Sequence, residues 1–341
     1  MTLREPLARK VRGEREDVVN FAEPIESAPA GTTSARAIGP VPQAYDARHR
    51  FLAADALRGI AALIVLLYHL EAAVHGPGWF ARGYLAVDFF FMLSGFVMAH
   101  CYDGRWSRSF GTGRFLRARI RRLWPTMAGG ILAGATLALA SGATVGATLG
   151  LTLRAMAFVP LAGARDGLFP LDGVQWSLFF ELIANLAHAV ILHRLSDRRL
   201  AIVTALFAAS LFAIAYVAGD LSVGDAGPAW IGGFFRVGFA YPAGMLLHRL
   251  WRRRAATAPT NPLLVLAALP VALIGCSASR WWATDPLLVV TVVPMIIWLA
   301  LSANLPARLA MAATAAGRVS YPLYALHRPL IGLALLMRLA A

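Results

Sequence analysis

The stretch "RGIAALIVLLYH", residues 58–69, decides the fold class, because it is an apolar run with a cation at one end and an imidazole at the other. Eleven residues at about 100° and 1.5 Å each make about three helical turns, so Arg58 and His69 share one helix face about 16 Å apart. Ionisable side chains are costly inside a membrane. A shared face therefore predicts that both side chains line one polar cavity in a helical bundle.

The composition of the whole chain agrees with a membrane environment. Of the 341 residues, 58% are hydrophobic and only 15% are charged, whereas a soluble domain carries about a quarter charged residues. Two cysteines, Cys101 and Cys276, exclude a disulfide framework. The net charge of +14 resides in short basic clusters between apolar runs, which is typical of cytoplasmic loops and argues against a nucleic-acid partner.

Apolar stretches of spanning length recur along the chain. They predict an all-α, polytopic integral membrane helical bundle with about nine to eleven transmembrane helices. The stretches cover residues 52–74, 84–102, 124–142, 175–193, 200–218, 229–249, 261–279, 285–303 and 309–337. The last one contains Pro322 and Pro329, which can break a helix.

The remaining segments complete the predicted topology. Residues 1–48 are polar and basic and predict a disordered cytoplasmic tail, which leaves residues 49–341 as the membrane domain. Residues 143–170 contain Arg154 and many glycines and predict a re-entrant or interfacial segment, because a crossing there would move every later basic loop to the outside. The amino terminus is expected inside, and the Ala- and Arg-rich composition favours a bacterial inner membrane.

Ionisable residues inside the apolar stretches are the candidates for function. His69 is the strongest, because an imidazole has the pKa of a general base near neutrality. Arg58 is either a fixed cation for an anionic ligand or an anchor that follows the positive-inside rule. For each candidate the alternative is a paired structural group or a snorkelling end residue. The full set is Arg58, His69, Asp88, Glu181, His188, Arg236 and His327.

Two further segments carry polar groups at helical spacing. Arg119 and Arg122 lie at i, i+3 before Pro125, which is expected to begin a helix; such a pair either binds phosphates or belongs to a basic inner loop. In "QWSLFFELIANLAH", residues 175–188, Ser177 and Glu181 share a face. Trp176 of the same segment is expected at the membrane interface.

The other polar positions are harder to interpret from spacing. Asp88 is either a partner for a cation or an interfacial residue, and Ser94 and Gly95 favour close helix packing over catalysis. His188 is deeper in its span and is expected to be structural. Arg236 lies in a Gly-rich helix, and "GRVSYPLYALHRP", residues 317–329, supplies Tyr321, Tyr324 and His327.

Sequence motifs of soluble enzymes are absent. The chain has no G-x-S-x-G, H-E-x-x-H or H-x-x-x-x-D motif, no P-loop and no G-x-G-x-x-G fingerprint. An enzyme with this sequence is therefore expected to act within the membrane.

Five segments in the right order resemble the membrane acyltransferase 3 family over about residues 50–330. The first is similar to the family's opening segment, with Arg58 and His69 matching its Arg-x10-His motif. The others resemble its second-helix signature, its R-x-x-R-h-x-P loop, its W-S-L-x-x-E segment and its S-Y-x-h-Y-x-h-H segment. They are "VDFFFMLSGF" (87–96), "RARIRRLWP" (117–125), "WSLFFE" (176–181) and "GRVSYPLYALH" (317–327).

The resemblance implies transfer of an acyl group, usually acetyl from acetyl-CoA, to a hydroxyl of a saccharide or another cell-envelope acceptor. It implies that acyl-CoA is a donor substrate, that no cofactor or metal is resident, and that membrane lipid surrounds the protein. The implied catalytic residues are His69, Glu181 and Arg58; the implied donor-binding residues are Arg119, Arg122 and Arg236; the implied acceptor-binding residues are Trp176, Ser177, Tyr324 and His327.

Two alternatives remain open at this level. A transporter or flippase for a sugar or lipid-linked intermediate also needs ionisable groups along a multi-span bundle. A non-catalytic membrane partner that scaffolds a cell-envelope assembly predicts no effect from substituting His69.

Overall fold

The computed structural model describes residues 51–104, 111–164, 166–254 and 260–340, so the predicted tail at residues 1–48 lies outside it. The described residues form helices and contain no strand, which confirms the all-α bundle. A π-helical turn joins α9 to α10. The helices are α1 (Leu52–Ala73), α2 (Ala86–Tyr102), α3 (Thr112–Ala140), α4 (Val145–Met156), α5 (Gln175–Val190), α6 (Asp197–Ala218), α7 (Gly232–Arg253), α8 (Pro262–Gly275), α9 (Thr284–Leu287), α10 (Val293–Ala300) and α11 (Ala307–Ala340).

Four segments among the described residues are long and apolar enough to cross a membrane. They are α1, the segment Gly83–Tyr102 that contains α2, α3 and α6. Local sequence explains where several helices begin and end. The Ser196 hydroxyl accepts a hydrogen bond from Arg199 N at the start of α6, and Gly219 ends that helix with φ of 91°. Asn261 caps α8 in the same way, with Pro262 at the first helical position.

Proline positions in α3 and α11 differ from the sequence-based expectation. The prediction that Pro125 begins a helix is wrong, because α3 begins at Thr112 and continues through Pro125. Helix α11 likewise continues through Pro322 and Pro329. Each proline removes one helical hydrogen bond. In a bundle the neighbouring helices and polar side chains compensate for that loss, so the helices remain continuous.

Helices α1 and α11 pack closely and run in the same direction. Near their beginnings, Gly317 lies against Asp55, because a Cβ on that glycine would come within 2.7 Å of the Asp55 side chain. Further along both helices, the rings of His69 and His327 stack with centroids 5.1 Å apart. The tyrosine and histidine face of α11 is thereby brought alongside the Arg58–His69 face of α1.

The segment between α3 and α5 begins and ends at the same end of the bundle. Arg119 near the beginning of α3 contacts Glu181 in α5 at 2.8 Å. Gly134 near the end of α3 lies against the carbonyl of Leu171, just before α5. The two helices are therefore antiparallel, and residues 141–174 do not cross the bundle. This arrangement confirms a re-entrant or interfacial segment at this position.

Basic loops from different parts of the chain meet at one end of the bundle. Asp197 at the start of α6 pairs with Arg249 at 3.1 Å and with Arg253 at 2.6 Å, both at the end of α7. Arg254 donates to the Ser302 hydroxyl at 2.8 Å. The beginning of α6 and the ends of α7 and α10 therefore lie together, as the predicted topology requires.

Replacing Gly95 with alanine is expected to destabilise the contact between α2 and α7. A Cβ at this position would lie 2.0 Å from the backbone oxygen of Tyr241, so the helices must separate, at a cost of about 1–3 kcal/mol. Gly150 in α4 is the matched control, because a Cβ there meets nothing within 4 Å. Thermal unfolding in detergent should show a lower midpoint for Gly95→Ala and no loss for Gly150→Ala; equal midpoints would contradict the observed packing.

Candidate active site

Polar side chains from the four helices α1, α3, α5 and α11 form a column between the beginning of α1 and its end. Its α11 members, Tyr321, Tyr324 and His327, follow at intervals of three residues and so lie along one side of that helix. At the first end, called here the cationic end, are Arg58, Arg119, Arg122 and Glu181. At the second, called the histidine end, are His69 and His327. Ser177 and Tyr324 lie between the two ends.

Glu181 organises the cationic end. Its Oε1 accepts one hydrogen bond from Arg119 Nη2 and another from the Ser94 hydroxyl, each at 2.8 Å. Arg119 is only 6% exposed, so this pair is held in place inside the protein. The sequence favoured helix packing over catalysis for this serine, yet its hydroxyl binds the predicted site carboxylate. Gly95 beside it has the packing role.

The other two arginines of the cationic end are more accessible. Arg58 Nη1 lies 3.4 Å from the Asp55 carboxylate, and its side chain is 21% exposed. Arg122 is exposed and lies within electrostatic range of Arg58, Arg119 and Glu181. The three guanidinium groups of the cationic end lie near two carboxylates, those of Asp55 and Glu181. The excess positive charge, together with the exposed donors, suits a phosphate-bearing ligand.

A buried pair of hydroxyl groups occupies the middle of the column. The Ser177 and Tyr324 oxygens are 2.6 Å apart. Because the Ser177 hydroxyl donates to the Val174 carbonyl at 2.9 Å, its proton is used and Tyr324 donates to Ser177. This bond joins the beginning of α5 to α11 and sets the position of the turn that leads to His327.

The two histidines leave ring nitrogens available for a ligand. His327 Nδ1 lies 2.7 Å from the Tyr324 carbonyl, so Nδ1 carries the proton and Nε2 is an acceptor. That Nε2 is buried and has no hydrogen-bond partner within the described residues. His69 is half-buried and stacks on His327. A neutral imidazole in this setting can accept a proton from a hydroxyl group.

Arg236 lies outside the column, which does not support the expectation that it binds the donor. It is 1% exposed, and Nε and Nη2 contact Asp88 at 3.2 and 2.6 Å. Nη1 donates to the Val223 carbonyl and Nη2 to the Tyr84 carbonyl, both at 2.9 Å. Its hydrogen bonds are therefore made within the protein. Of the two alternatives for Asp88, the structure selects the partner for a cation.

Trp176 is buried beside Arg236. It is 8% exposed, and the Arg236 guanidinium lies 5.3 Å from its ring centroid. The indole packs against this buried cation inside the bundle, so its contact is with the protein interior. His188 is fully buried, with Tyr241 and Asp103 as neighbours at 3.1 Å each. Its surroundings agree with the expected structural role.

Two residues beside the histidine end were not identified from the sequence. Arg328 follows His327 directly, is exposed, and places its guanidinium against the backbone of Gly173. Asp172 is fully buried, and burial raises its pKa to about 7. The signal for Asp172 was a single carboxylate in the apolar stretch "LFPLDGVQW", residues 168–176. No signal distinguished Arg328 from a loop arginine.

Within the described ranges, no three or more His, Cys, Asp or Glu side chains are grouped so that they could hold a metal ion.

Comparison with known proteins places these residues in context. The model of the acyltransferase 3 family, described as "Acyltransferase domain", matches residues 51–336. A relative from Rhizobium radiobacter, "Protein 2 in picA locus", is 44% identical over 77 residues. That match covers 22% of this chain and 39% of the relative, so it spans well under half of either protein. No solved structure matches.

Proposed function

The chain belongs to the acyltransferase 3 family, and from this premise we propose that it moves an acetyl group from acetyl-CoA to a hydroxyl of a saccharide or other cell-envelope acceptor. The family and the apolar helices make it a membrane acyltransferase. The acetyl-CoA donor, the acceptor class and the residue roles are the proposal. We also propose that it resides in a bacterial inner membrane, with the basic loops and the amino terminus in the cytoplasm.

The observation that carries this proposal is the polar column. Its cationic end offers Arg58 and Arg122 to the phosphates of a CoA nucleotide, while its histidine end lies about 16 Å further along α1. An extended pantetheine arm that follows the column would bring the thioester to His69. The Arg119–Glu181 pair belongs to the cationic end, and its 2.8 Å contact fixes the geometry there.

The proposed reaction is direct transfer. The His69 imidazole accepts the proton of the acceptor hydroxyl while that oxygen attacks the thioester carbonyl carbon. The carbon–sulfur bond then breaks, and the CoA thiolate takes this proton from the imidazolium, which returns His69 to its neutral form. The products are an ester and free CoA thiol, so the proton is conserved. His327 Nε2 accepts a hydrogen bond from the substrate that receives the acyl group. Arg328 supplies positive charge near the oxyanion that forms on the thioester carbonyl oxygen.

Glu181 has a positioning role in this proposal. Its Oε1 already accepts two hydrogen bonds, from Arg119 and Ser94. Both hydrogen bonds engage this oxygen within the protein and hold the carboxylate against Arg119. It orients Arg119, and through that residue the cationic end.

Donor turnover tests the proposed function directly. The full chain in nanodiscs would be given acetyl-CoA with and without saccharide acceptors, and free thiol would be followed. We expect thiol release that increases with a suitable acceptor. The transporter and scaffold alternatives predict no thiol release, with any donor or acceptor.

Replacing Arg122 with alanine is expected to weaken donor binding. The loss of one charge-assisted contact to a phosphate should raise KM for acetyl-CoA about tenfold with little change in kcat, because this contact is equally strong in substrate and transition state. Arg121→Ala is the control, since this exposed neighbour lies about 100° further around α3. Equal KM values for the two variants would remove Arg122 from the donor site.

A further inference from the structure

Asp172, just before α5, is a buried carboxyl group that the proposed reaction does not use. It is fully buried, and its Oδ1 has only a long contact of 3.5 Å with Val174 N. Its Oδ2 has no hydrogen-bond partner within the residues that the structure describes. A carboxylate in this state would be costly, because burial removes its hydration without replacing it.

A second oxygen nearby lacks its usual partner as well. In an α-helix the carbonyl of residue i accepts from the N–H of residue i+4. The residue four positions after Ala325 is Pro329, which has no N–H. Ala325 is fully buried within α11, so bulk water does not reach this carbonyl.

Gly130 in α3 shows that these two oxygens are neighbours. A Cβ built on this glycine would lie 2.5 Å from Ala325 O and 2.6 Å from Asp172 Oδ2. The two oxygens therefore flank the same point and are at most about 5 Å apart, and that point is open only because the residue is glycine. Two buried acceptors placed together repel each other unless one of them carries a proton.

We propose that Asp172 is protonated and donates a hydrogen bond to the Ala325 carbonyl, and that this bond positions the turn of α11 that carries His327. A protonated carboxyl supplies the donor that Pro329 cannot. The same turn carries the Tyr324 carbonyl that orients the His327 ring. Asp172 is thus a positioning residue, and this catalytic consequence rests on the proposed function.

The surrounding charges are compatible with a neutral carboxyl. Arg328 from α11 is the cation within electrostatic range, and Tyr321 and Tyr324 are the other titratable groups there. No ion pair joins Arg328 to Asp172 within the described residues. Burial raises the pKa of Asp172 to about 7, against the opposing effects of Arg328 and the Val174 N–H.

Infrared spectroscopy and thermal unfolding test the proton and the bond. At pH 6 the wild type in nanodiscs should show the carbonyl stretch of a protonated carboxyl that is absent from Asp172→Asn. Asp172→Leu removes the donor and should lower the unfolding midpoint by about 3 °C or more. Asp172→Asn keeps an N–H donor and should lower the unfolding midpoint by less. Pro329→Ala restores a backbone N–H, so the difference between Leu and Asn at position 172 should disappear in that background.

Kinetics test the positioning role separately. With acetyl-CoA and an active acceptor, Asp172→Leu should lower kcat about fivefold or more with KM for acetyl-CoA unchanged, because only the histidine end is disturbed. Asp172→Asn should recover most of this loss.

Three results would overturn the proposal: no wild-type band specific to Asp172 at pH 6, a Leu–Asn difference in unfolding midpoint that persists with Pro329→Ala, or equal kcat for Asp172→Leu and wild type. The spectroscopic and unfolding measurements need no turnover. An inactive wild type would therefore refute the proposed function while the Asp172–Ala325 bond is still tested.

Discussion

Replacing His69 with alanine is expected to reduce acyl transfer about 10²–10⁴-fold, which is the usual contribution of a general base. The imidazole makes no hydrogen bond to another described residue and is half-buried beside His327. Its removal should therefore affect the reaction far more than the fold. Thiol release from acetyl-CoA in the presence of an active acceptor is the measurement, and kcat should fall with KM for the donor nearly constant.

His75→Ala is the control for this experiment. This histidine is exposed, in the connection after α1 and outside the column. We expect it to have wild-type turnover, and we expect His69→Ala to unfold at nearly the same temperature as the wild type. Normal turnover by a folded His69→Ala protein would refute the assigned base and the direct-transfer mechanism together.

Replacing Arg236 with alanine is expected to produce the largest loss of stability. The change leaves the Asp88 carboxylate buried without its guanidinium partner, at a cost of about 3–5 kcal/mol. The Val223 and Tyr84 carbonyls lose their donors as well. The unfolding midpoint in detergent measures this effect. A double replacement of Asp88 by leucine and Arg236 by methionine should recover much of the loss, because it leaves no unpaired charge.

Arg253→Ala is the matched control for Arg236. Its guanidinium also contacts a carboxylate at 2.6 Å, but its side chain is 70% exposed, and exposed pairs contribute about 0–1 kcal/mol. If Arg236→Ala kept a wild-type midpoint and raised KM for acetyl-CoA, Arg236 would bind the donor after all. A large loss of stability, together with an unchanged KM for acetyl-CoA in the protein that remains folded, would assign Arg236 to the ion pair.

Several site features could be predicted from sequence because they depend on one helix at a time. The common face of Arg58 and His69 follows from eleven residues of helical rotation. The re-entrant position of residues 143–170 follows from the need to keep the basic loops together. Asp88 was expected to be either the partner of a cation or an interfacial residue, and the cost of burying a carboxylate explains the first alternative.

Other features depend on contacts between helices that are far apart in the chain. Ser94 contacts Glu181, which is 87 residues away in the sequence, and the periodicity of neither helix predicts that contact. Trp176 has the composition of an interfacial residue, yet the packing of α7 places it beside Arg236. Pro125 has the properties of a helix start, but the bundle supports a longer helix around it.

The sequence by itself determined the class of this protein, the order of its helices and the residue types available for chemistry, because hydropathy and helical rotation act locally. Only the tertiary structure decided which polar groups face each other. It directed Arg236 to Asp88, joined Glu181 to Arg119, and set Asp172 beside the carbonyl that Pro329 leaves without a donor. These pairings depend on how closely helices approach at Gly95 or Gly130, and that distance is a property of the packed bundle.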